Sequence, residues 1–356
     1  MHPLRLLSAA GQVAAHLRSE LEAERWTGKM PGVNSLSAEL GVNRKTVEAA
    51  LRQLERDGIL LGQGPGRMRL IIPAGTKAAS SLRVAMLTYE TSDRFLAYIV
   101  ELQHALTNAG HSAVFPGKAL TDLGMDVARI ARLVKQTAAD AWVVQSGSRE
   151  VLEWFLAQPA PVFALFGRRE GLPIAATGPD KIPAITAATR QLIALGHRRI
   201  VILCRGERRK PGPGRGERAI LDELTAHGIP TSDYNLPDWE ETPEGFQKLL
   251  SSLFKVTPPT ALIIEEAPLF VAAQQFLSRS GLRSPEQVSL ICSDSDPAFA
   301  WCQPAITCIR WDASPIIRRI VRWAADVSRG RKDIRQTSTP AEFIPGGTIG
   351  PAPPGG

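Results

Sequence analysis

A short polar segment of the chain has the residue types needed to contact DNA. It consists of Asn43, Arg44, Lys45 and Thr46. Arginine can make paired hydrogen bonds to a base edge, and both cations attract phosphate. Asn43 can also cap a helix, because its side-chain oxygen can accept from the free amides of the first turn. The segment therefore predicts the start of a helix that presents donors and positive charge to DNA.

The residues around this segment predict two helices joined by a tight turn at Gly41-Val42. Apolar residues recur at helical spacing after the segment, at Val47, Ala50, Leu51 and Leu54, and before it, at Leu36 and Leu40. A further amphipathic helix is predicted near residues 8–24. This order is typical of a helix-turn-helix that reads the major groove. The alternative is an ordinary helical hairpin with a solvated, charged face.

A hairpin is predicted directly after the second helix, which Gly58 ends. Residues 59–61 and 67–72 are the two arms, and residues 62–66 are a tip rich in glycine and proline. Arg67 follows the tip. Such a hairpin is a wing, which can follow the DNA backbone or enter the minor groove.

Residues 12–72 resemble the winged-helix domain of the GntR family of bacterial transcription regulators. The resemblance is carried by residues 40–47, by residues 51–60 and by Gly64-Pro65-Gly66. It implies DNA contacts from Asn43, Arg44, Thr46 and Gly66. Asn34 stands where the family usually has arginine, and Glu48 where it often has a basic residue, so the base preferences of the family do not transfer. Our candidate DNA-binding residues are Asn34, Asn43, Arg44, Lys45, Thr46, Gly66 and Arg67.

Length and charge limit the possible classes of protein. A chain of 356 residues with 44% hydrophobic and 22% charged residues predicts a globular protein of more than one domain. Its net charge is +7, and residues 1–76 hold ten Lys and Arg against seven Asp and Glu. No segment has the length of a membrane span, and the N-terminal apolar run is too short for a signal peptide. We therefore expect a cytoplasmic protein.

The cysteines give no sign of a metal or cofactor site. Cys204, Cys292, Cys302 and Cys308 form no CxxC pair and have no metal-ligand spacing with histidine. They are interpreted as buried free thiols. We expect neither a metal nor a cofactor.

The pattern changes after residues 73–81, which are small and polar and are interpreted as a linker. Apolar segments at 83–87, 141–144, 162–166, 200–203, 261–264 and 288–291 then alternate with helical patterns near 95–109, 127–136, 183–195, 218–227 and 269–280. Buried strands that alternate with helices predict parallel sheets in an α/β fold. The length favours two lobes, with a ligand in the cleft between them where the strands end.

Residues 82 to about 350 resemble the sensor domain of the LacI/GalR family, which is related to periplasmic sugar-binding proteins. The resemblance rests on residues 188–200, 259–263, 281–289 and 343–350. A GntR-type head on such a sensor is similar to arabinose-type sugar repressors. The implied domains are the winged helix at 1–72, the linker at 73–81 and the sensor at 82–351. Lobe 1 takes about 82–179 and 312–335, and lobe 2 about 180–311 and 336–351.

The resemblance also implies effector-binding residues. Asp294 stands where the family has an acid that binds ligand hydroxyls, although an aspartate before Pro297 can instead cap a turn. Trp239 matches a tryptophan that packs on a sugar face, or is a structural aromatic. Arg215 lies near an effector-binding arginine position, while Tyr89 and Trp311 are weaker candidates. Glu266 and Ala267 replace the Asn-Asp pair of the family, which suggests a ligand with donors or positive charge.

Residues 212–216 follow a strand and precede a helix, as a phosphate-binding loop does. They lack the Lys-Ser/Thr pair of a P-loop, and Pro213 removes one amide. With Arg205, Arg208, Arg209 and Lys210 beside it, the segment is interpreted as a mobile, solvated loop. An anionic effector remains an alternative.

These features favour a homodimeric transcription regulator that binds duplex DNA and is controlled by a small, sugar-like ligand. One alternative is an enzyme with an accessory DNA-binding head, but GxSxG, HExxH and GxxxxGK[ST] motifs are absent. Another alternative is a constitutive DNA-binding protein whose sensor cleft binds nothing.

Overall fold

The computed structural model describes residues 8–23, 25–64, 67–71 and 81–354. The predicted DNA contact at Gly66 and most of the predicted linker lie outside these residues. The chain divides into two compact units, whose main boundary falls between Leu82 and Arg83. We describe each unit by itself.

Three helices and a hairpin make up the elements before this boundary, which we call the head. They are α1 (Ala9–Glu22), α2 (Val33–Leu40), α3 (Arg44–Arg56), β1 (Leu60–Leu61) and β2 (Leu70–Ile71). The predicted apolar faces meet in one core, where Leu17, Leu36, Val47, Leu51 and Leu54 are fully buried. The predicted helix-turn-helix is thus confirmed.

The turn between α2 and α3 depends on Gly41. Its φ of 64° lies in the left-handed region, where a side chain would be strained. The turn directs α3 away from α2, so that Val47 and Leu51 are buried while the start of α3 stays exposed.

The wing is present but its strands are shorter than predicted. β1 and β2 pair antiparallel, with Leu60 opposite Ile71 and Leu61 opposite Leu70. The segment before α2 also pairs with the second arm of the hairpin, because Met30 N–H donates to the Arg69 carbonyl at 2.8 Å. This pairing joins the wing to the core of the head.

The second unit contains eleven strands among its described residues. They are β3 (Arg83–Leu87), β4 (Ser112–Val114), β5 (Ala141–Gln145), β6 (Val162–Leu165), β7 (Ala175–Thr177), β8 (Pro179–Asp180), β9 (Ile200–Leu203), β10 (Ala261–Ile264), β11 (Ser289–Cys292), β12 (Cys308–Trp311) and β13 (Thr339–Ile344). One sheet has the order β4-β3-β5-β6-β7, and the other has the order β8-β13-β12-β11-β10-β9. We call these sheets, with their helices, lobe 1 and lobe 2.

Helices connect the strands as the alternating pattern predicts. They are α4 (Ala97–Asn108), α5 (Val127–Gln136), α6 (Arg149–Leu156), α7 (Ile182–Ala194), α8 (Gly206–Arg209), α9 (Arg215–Ala226), α10 (Pro243–Val256), α11 (Ala267–Arg279) and α12 (Ser314–Ser328). In lobe 2, α7 and α9 cover one face of the sheet, and α10 and α11 cover the other. Both faces are therefore buried, which explains the uninterrupted apolar strands β9, β10 and β11.

The expected parallel sheets are confirmed, with one antiparallel pairing. β3 to β7 are all parallel, as are β9 to β12. β13 runs antiparallel to β12 and parallel to β8. The chain enters lobe 2 from lobe 1 at both β8 and β13. These two strands therefore begin at the edge of the sheet where β9 to β12 end, and they run in the opposite direction.

Candidate functional site

The start of α3 is fixed by the side chain of Asn43. Its Oδ1 atom accepts a hydrogen bond from the backbone N–H of Thr46 at 2.9 Å and another from Thr46 Oγ1 at 3.0 Å. These bonds satisfy one of the amides that a helix N-terminus leaves free. Asn43 and Thr46 thus hold the geometry of the predicted DNA-binding segment.

The cations of this segment point outward. Arg44 and Lys45 are exposed, and neither side chain forms an ion pair or hydrogen bond with a described residue. Asn34, the second residue of α2, is exposed, and so is Arg67 in the wing. The described candidates therefore include three exposed cations, Arg44, Lys45 and Arg67, which can bind an anionic partner without first breaking an ion pair.

Other arginines of the head are engaged with carboxylates. Arg52 lies 2.7 Å from Glu48, one helical turn away, and Arg69 lies 2.7 Å from Glu55. Glu48 was a departure from the family pattern. Its pairing with Arg52 offsets the negative charge that it would otherwise bring to the exposed face of α3.

A second cluster of functional groups lies in the sensor unit, where parallel strands of both lobes end. Tyr89 follows β3, Arg205 follows β9, Glu265 and Glu266 follow β10, and Asp294 follows β11. The carboxyl ends of parallel strands meet at one edge of a sheet, where ligands bind in α/β folds. The structure thus brings together Tyr89, Glu266, Asp294 and Trp311 of the predicted residues.

Arg205 is the centre of an ion-pair network. Its Nε lies 2.8 Å from Oε1 of Glu266, and its Nη2 lies 3.4 Å from Oε2 of the same carboxylate. Its Nη1 lies 2.6 Å from Oε1 of Glu90 and 3.8 Å from Oε2 of Glu241. Only 9% of Arg205 is exposed, so these contacts are weakly screened by water.

Arg208 extends this network. Its Nη1 lies 3.0 Å from Glu266 and 3.5 Å from Glu265, and its guanidinium carbon lies 4.1 Å from the centre of the Tyr89 ring. Burial opposes ionisation of Glu266, but Arg208 and Arg205 together hold its pKa below the usual range. Burial raises the pKa of Glu265. The carboxylate of Glu266 is therefore charged and already neutralised by arginine.

The arginines beside the predicted loop at 212–216 are held in place by partners from other parts of the chain. Arg205 and Arg209 are buried, and α8 orders the segment that contains them. Arg209 donates to the carbonyls of Leu236 and Pro237 and pairs with Asp238. Carboxylates and carbonyls distant in sequence thus supply the partners that make burial of these charges possible, and the sequence alone did not show them.

Several of these contacts join the two lobes. Glu90 of lobe 1 pairs with Arg205 of lobe 2, and the Tyr89 hydroxyl donates to Glu241 at 3.1 Å. Arg168 of lobe 1 donates through Nε to the carbonyl of Arg208 at 2.9 Å. A change in lobe orientation must therefore break or rearrange charged contacts.

Asp294 and Trp311 belong to a second part of the cleft. Trp311 Nε1 donates to Asp294 Oδ1 at 2.8 Å, and Lys181 Nζ lies 3.5 Å from Asp294 Oδ2. The Trp311 ring meets Tyr98 edge-on at 5.4 Å and Phe166 at 5.7 Å, measured between ring centres. Tyr98 and Phe166 come from lobe 1, so this aromatic corner also spans the lobes.

Sequence reasoning missed the lobe 1 side of this corner. Gln145 Nε2 donates to the Tyr98 hydroxyl at 2.8 Å, and burial raises the pKa of that hydroxyl. Ser146 and Phe166 have φ of 54° and 61°, which are uncommon for residues other than glycine. Such backbone strain often occurs at functional sites. The residue types in the sequence did not predict it.

Two predicted effector residues lie apart from these contacts. The Trp239 indole N–H donates to the carbonyl of Cys204 at 2.8 Å, and its ring packs on Phe246 at 5.1 Å between ring centres. Arg215 is exposed at the first residue of α9, and no hydrogen bond or ion pair joins its side chain to another described residue. The hydrogen bond and the packing on Phe246 account for the position of Trp239.

His197 and the cysteines have structural surroundings. His197 is buried between Thr260 Oγ1 and the Gly350 carbonyl, each 3.0 Å away. All four cysteines are free; three are buried and Cys302 is half-buried. Among the described residues, no group of three or more His, Cys, Asp or Glu side chains is placed to hold a metal ion.

Comparison with protein families assigns both parts of the chain. Residues 9–66 match the gntR family of bacterial regulatory proteins. Residues 189–349 match the periplasmic binding protein-like domain. The chain joins a gntR-family head to a periplasmic binding protein-like domain. Comparison with the sequences of curated proteins gave no match.

Solved structures with this fold include regulators of the LacI family. One from Mycobacterium smegmatis is 21% identical over 76% of this chain and 99% of that chain, with a TM-score of 0.61. The transcriptional regulator CelR in complex with cellobiose is 18% identical over 90% and 100% of the two chains, with a TM-score of 0.63.

The lac repressor dimer bound to operator and the anti-inducer ONPF is 17% identical over 76% of this chain and 95% of that chain, with a TM-score of 0.56. At these identities the likeness concerns the fold, and it supports the resemblance on which the predicted sensor rests. Among the helices that the structure describes, none is long and apolar enough to cross a lipid bilayer.

Proposed function

We propose that the protein is a transcription regulator whose affinity for operator DNA is controlled by a small ligand. The observation that carries this proposal is the exposed, unpaired start of α3 in a gntR-family head, joined in one chain to a two-lobed binding-protein fold. The head supplies DNA binding, and the lobes supply a cleft for the ligand. The domains of the proposal are the head at 1–72, the linker at 73–81 and the sensor at 82–351.

In this proposal α3 enters the major groove with its N-terminus towards the bases. Arg44 makes a base contact, and Lys45 and Arg67 bind phosphates. Asn43 and Thr46 hold the start of the helix, and Asn34 lies on the exposed surface of α2. Gly66, which lies outside the described residues, is a further proposed DNA contact.

The regulator acts in the cytoplasm as a homodimer. Two heads then bind half-sites whose centres are about 34–36 Å, or one helical turn, apart. The lac repressor, a protein with the fold of the sensor, is a dimer bound to operator. A dimer doubles the number of contacts and makes affinity depend on the distance between the heads.

The ligand binds between the lobes, near Tyr89, Glu266, Asp294 and Trp311. The solved structure of CelR, which shares the fold, is that of a complex with cellobiose. A sugar or sugar derivative is therefore the proposed class of ligand. The ligand changes DNA affinity only through its unequal affinity for two lobe arrangements. The contacts of Glu90 with Arg205 and of Tyr89 with Glu241 join the lobes, so such a change must rearrange them.

Selection of bound fragments from genomic DNA with the full-length protein tests this proposal. Enrichment of a site with two related half-sites is the expected result. A gel-shift titration on that site then compares Arg44→Ala with Arg18→Ala. Arg44→Ala is expected to weaken binding by about 1–3 kcal/mol if Arg44 makes a bidentate base contact.

Arg18→Ala is the matched control. Arg18 pairs with Asp57, which lies past the other end of α3, about 20 Å from Arg44 along the helix. Its removal takes the same charge from the head but leaves the groove contacts intact. Equal affinity of the Arg44→Ala variant and the wild type, or failure to enrich any DNA site, would contradict the proposal.

A further inference from the structure

Six residues of the interlobe cleft form a group that we call the acceptor cluster. It joins two carboxylates, one amide and three aromatic rings from both lobes: Asp93, Tyr98, Gln145, Phe166, Asp294 and Trp311. The three rings contact each other edge-on and form one wall. Burial raises the pKa of the Tyr98 hydroxyl, and the charges of Asp93 and Asp294 add to this shift.

The acceptors of this cluster are incompletely satisfied. Only 5% of Gln145 is exposed, and its Oε1 atom is buried without a hydrogen-bond partner in the described part of the chain. A buried carbonyl oxygen without a donor costs free energy, so its position has to be explained by something that supplies one. The amide is held in place by its other end, through the bond from Nε2 to Tyr98.

The carboxylate of Asp93 is also incompletely paired. Its Oδ2 atom accepts from the backbone N–H of Glu90 at 3.1 Å, but it forms no ion pair with any residue that the structure describes. Burial raises its pKa, because the carboxylate is removed from water, and the charge of Arg208 only partly opposes this shift. Among the residues that the structure describes, Asp294 pairs with Lys181, at 3.5 Å.

The nearby arginines do not make the cleft favourable for an anionic ligand. Four carboxylates, those of Glu90, Glu241, Glu265 and Glu266, surround the two guanidiniums of Arg205 and Arg208. An anionic ligand would have to displace these carboxylates and leave them buried without partners. A ligand that brings donors and positive charge meets no such penalty.

The aromatic wall fits the same chemistry. The faces of Trp, Tyr and Phe attract a cation, and they also pack against the apolar face of a small carbon skeleton. Carboxylates beside such a wall bind an ammonium group by charge-assisted hydrogen bonds, while an amide oxygen accepts from a further N–H or O–H.

We propose that the acceptor cluster binds a small hydroxylated ligand that carries a protonated amine, such as an amino sugar. The inference rests on the proposed function, and it gives the effector of that function its chemical class. The ammonium group lies between Asp93 and Asp294, and a hydroxyl donates to Gln145 Oε1.

Matched pairs of small molecules test this inference on the full-length protein. Glucosamine is compared with glucose and N-acetylglucosamine, galactosamine with galactose, and mannosamine with mannose. Thermal unfolding and isothermal titration measure binding, because a ligand of the folded state raises the melting temperature. At least one amine is expected to bind at least tenfold more tightly than its uncharged partners. That binding should weaken as the pH is raised through the pKa of the amine.

Two variants locate the site. Asp294→Asn keeps the acceptor for Trp311 but removes the charge, and it is expected to lower the affinity of the amine at least tenfold. Asp233→Asn removes a carboxylate from an exposed turn that makes no contact with the cluster, and it should bind the amine as the wild type does. The melting temperature without ligand checks that both variants are folded.

Two results would overturn the inference. One is equal or tighter binding of the uncharged sugars, and the other is the absence of any shift with all three amines. Neither result touches the DNA selection, which tests the proposed function separately. A protein that enriches an operator but prefers a neutral sugar would remain a regulator with a different class of effector.

Discussion

The indole N–H of Trp311 donates a 2.8 Å hydrogen bond to Oδ1 of Asp294. The two residues stand at the ends of β12 and β11, which are neighbouring parallel strands. The same oxygen accepts from the backbone N–H of Ser295 at 3.0 Å. Asp294 therefore both caps its own turn and holds the orientation of the aromatic ring that faces the cleft.

Trp311→Phe should show how much this hydrogen bond contributes to the free energy of unfolding. The variant keeps an aromatic ring but leaves Asp294 without its indole donor, so we expect the free energy of unfolding to fall by about 1 kcal/mol. Urea unfolding measures the change. Trp301→Phe is the control, because Trp301 is 90% exposed and its replacement should leave stability unchanged. Equal stability of the two variants would show that the bond contributes nothing.

Asn43→Ala should loosen the start of α3. Loss of an N-cap costs about 1 kcal/mol, because the amide of Thr46 loses its partner. The expected result is faster amide hydrogen exchange across the first turns of α3, and weaker operator binding as a consequence. Asn43→Asp retains a capping oxygen and should exchange as slowly as the wild type. Unchanged exchange in Asn43→Ala would show that tertiary packing alone holds the helix.

Arg205→Ala should be strongly destabilising. The substitution leaves Glu90, Glu241 and Glu266 close together with less positive charge, and breaking a buried ion pair on one side typically costs about 3 kcal/mol or more. Urea unfolding at neutral pH measures the loss. The difference from the wild type should shrink as the pH is lowered, because protonation removes the charge of the carboxylates that lost their partner.

A matched control for this variant lies on the surface of lobe 2. Arg310 on β12 is 3.3 Å from Glu342 on β13, and both side chains are well exposed. Exposed pairs of this kind contribute about 0–1 kcal/mol. Arg310→Ala should therefore have a small effect, and an equally small effect of Arg205→Ala would contradict the role given to the buried network.

His197 should make stability depend on pH. Burial lowers its pKa below the usual histidine value of 6.5, and the hydrogen bond to the Gly350 carbonyl only partly opposes this shift. The unfolded chain therefore takes up a proton at higher pH than the folded chain does. Stability from neutral His197 is complete above about pH 6.5 and is lost as the pH falls towards the folded pKa.

Urea unfolding between pH 7.5 and pH 5.5 checks this dependence. His197→Gln preserves a donor for the Gly350 carbonyl but cannot take up a proton, so its stability should fall less steeply with decreasing pH. The largest change in slope for one proton is about 1.4 kcal/mol per pH unit. The variant will keep some dependence, because burial also lowers the pKa of His111. Identical slopes for variant and wild type would contradict the assignment.

Much of the fold follows from features that are local in the sequence. The cap at Asn43, the turn at Gly41 and the apolar repeat of α3 each depend on residues within a few positions of one another. Strands β3, β9 and β10 were predicted with their observed bounds, because burial on both faces makes their apolar runs continuous. Short edge strands such as β4 and β8 carry no such pattern and were missed.

The residue pattern was enough to predict the head, the alternating elements of the sensor and the polar residues that follow its strands. How those residues combine depends on the fold. Glu90 meets Arg205, and Tyr89 meets Glu241, across long stretches of chain, because two sheets place the ends of their strands at one cleft. The sequence shows each charge, but whether a charge is solvated or buried depends on partners that only the folded sheets bring near. For that reason the sequence could not show that Arg205 and Arg209, beside the loop at 212–216, are buried among partners from distant parts of the chain.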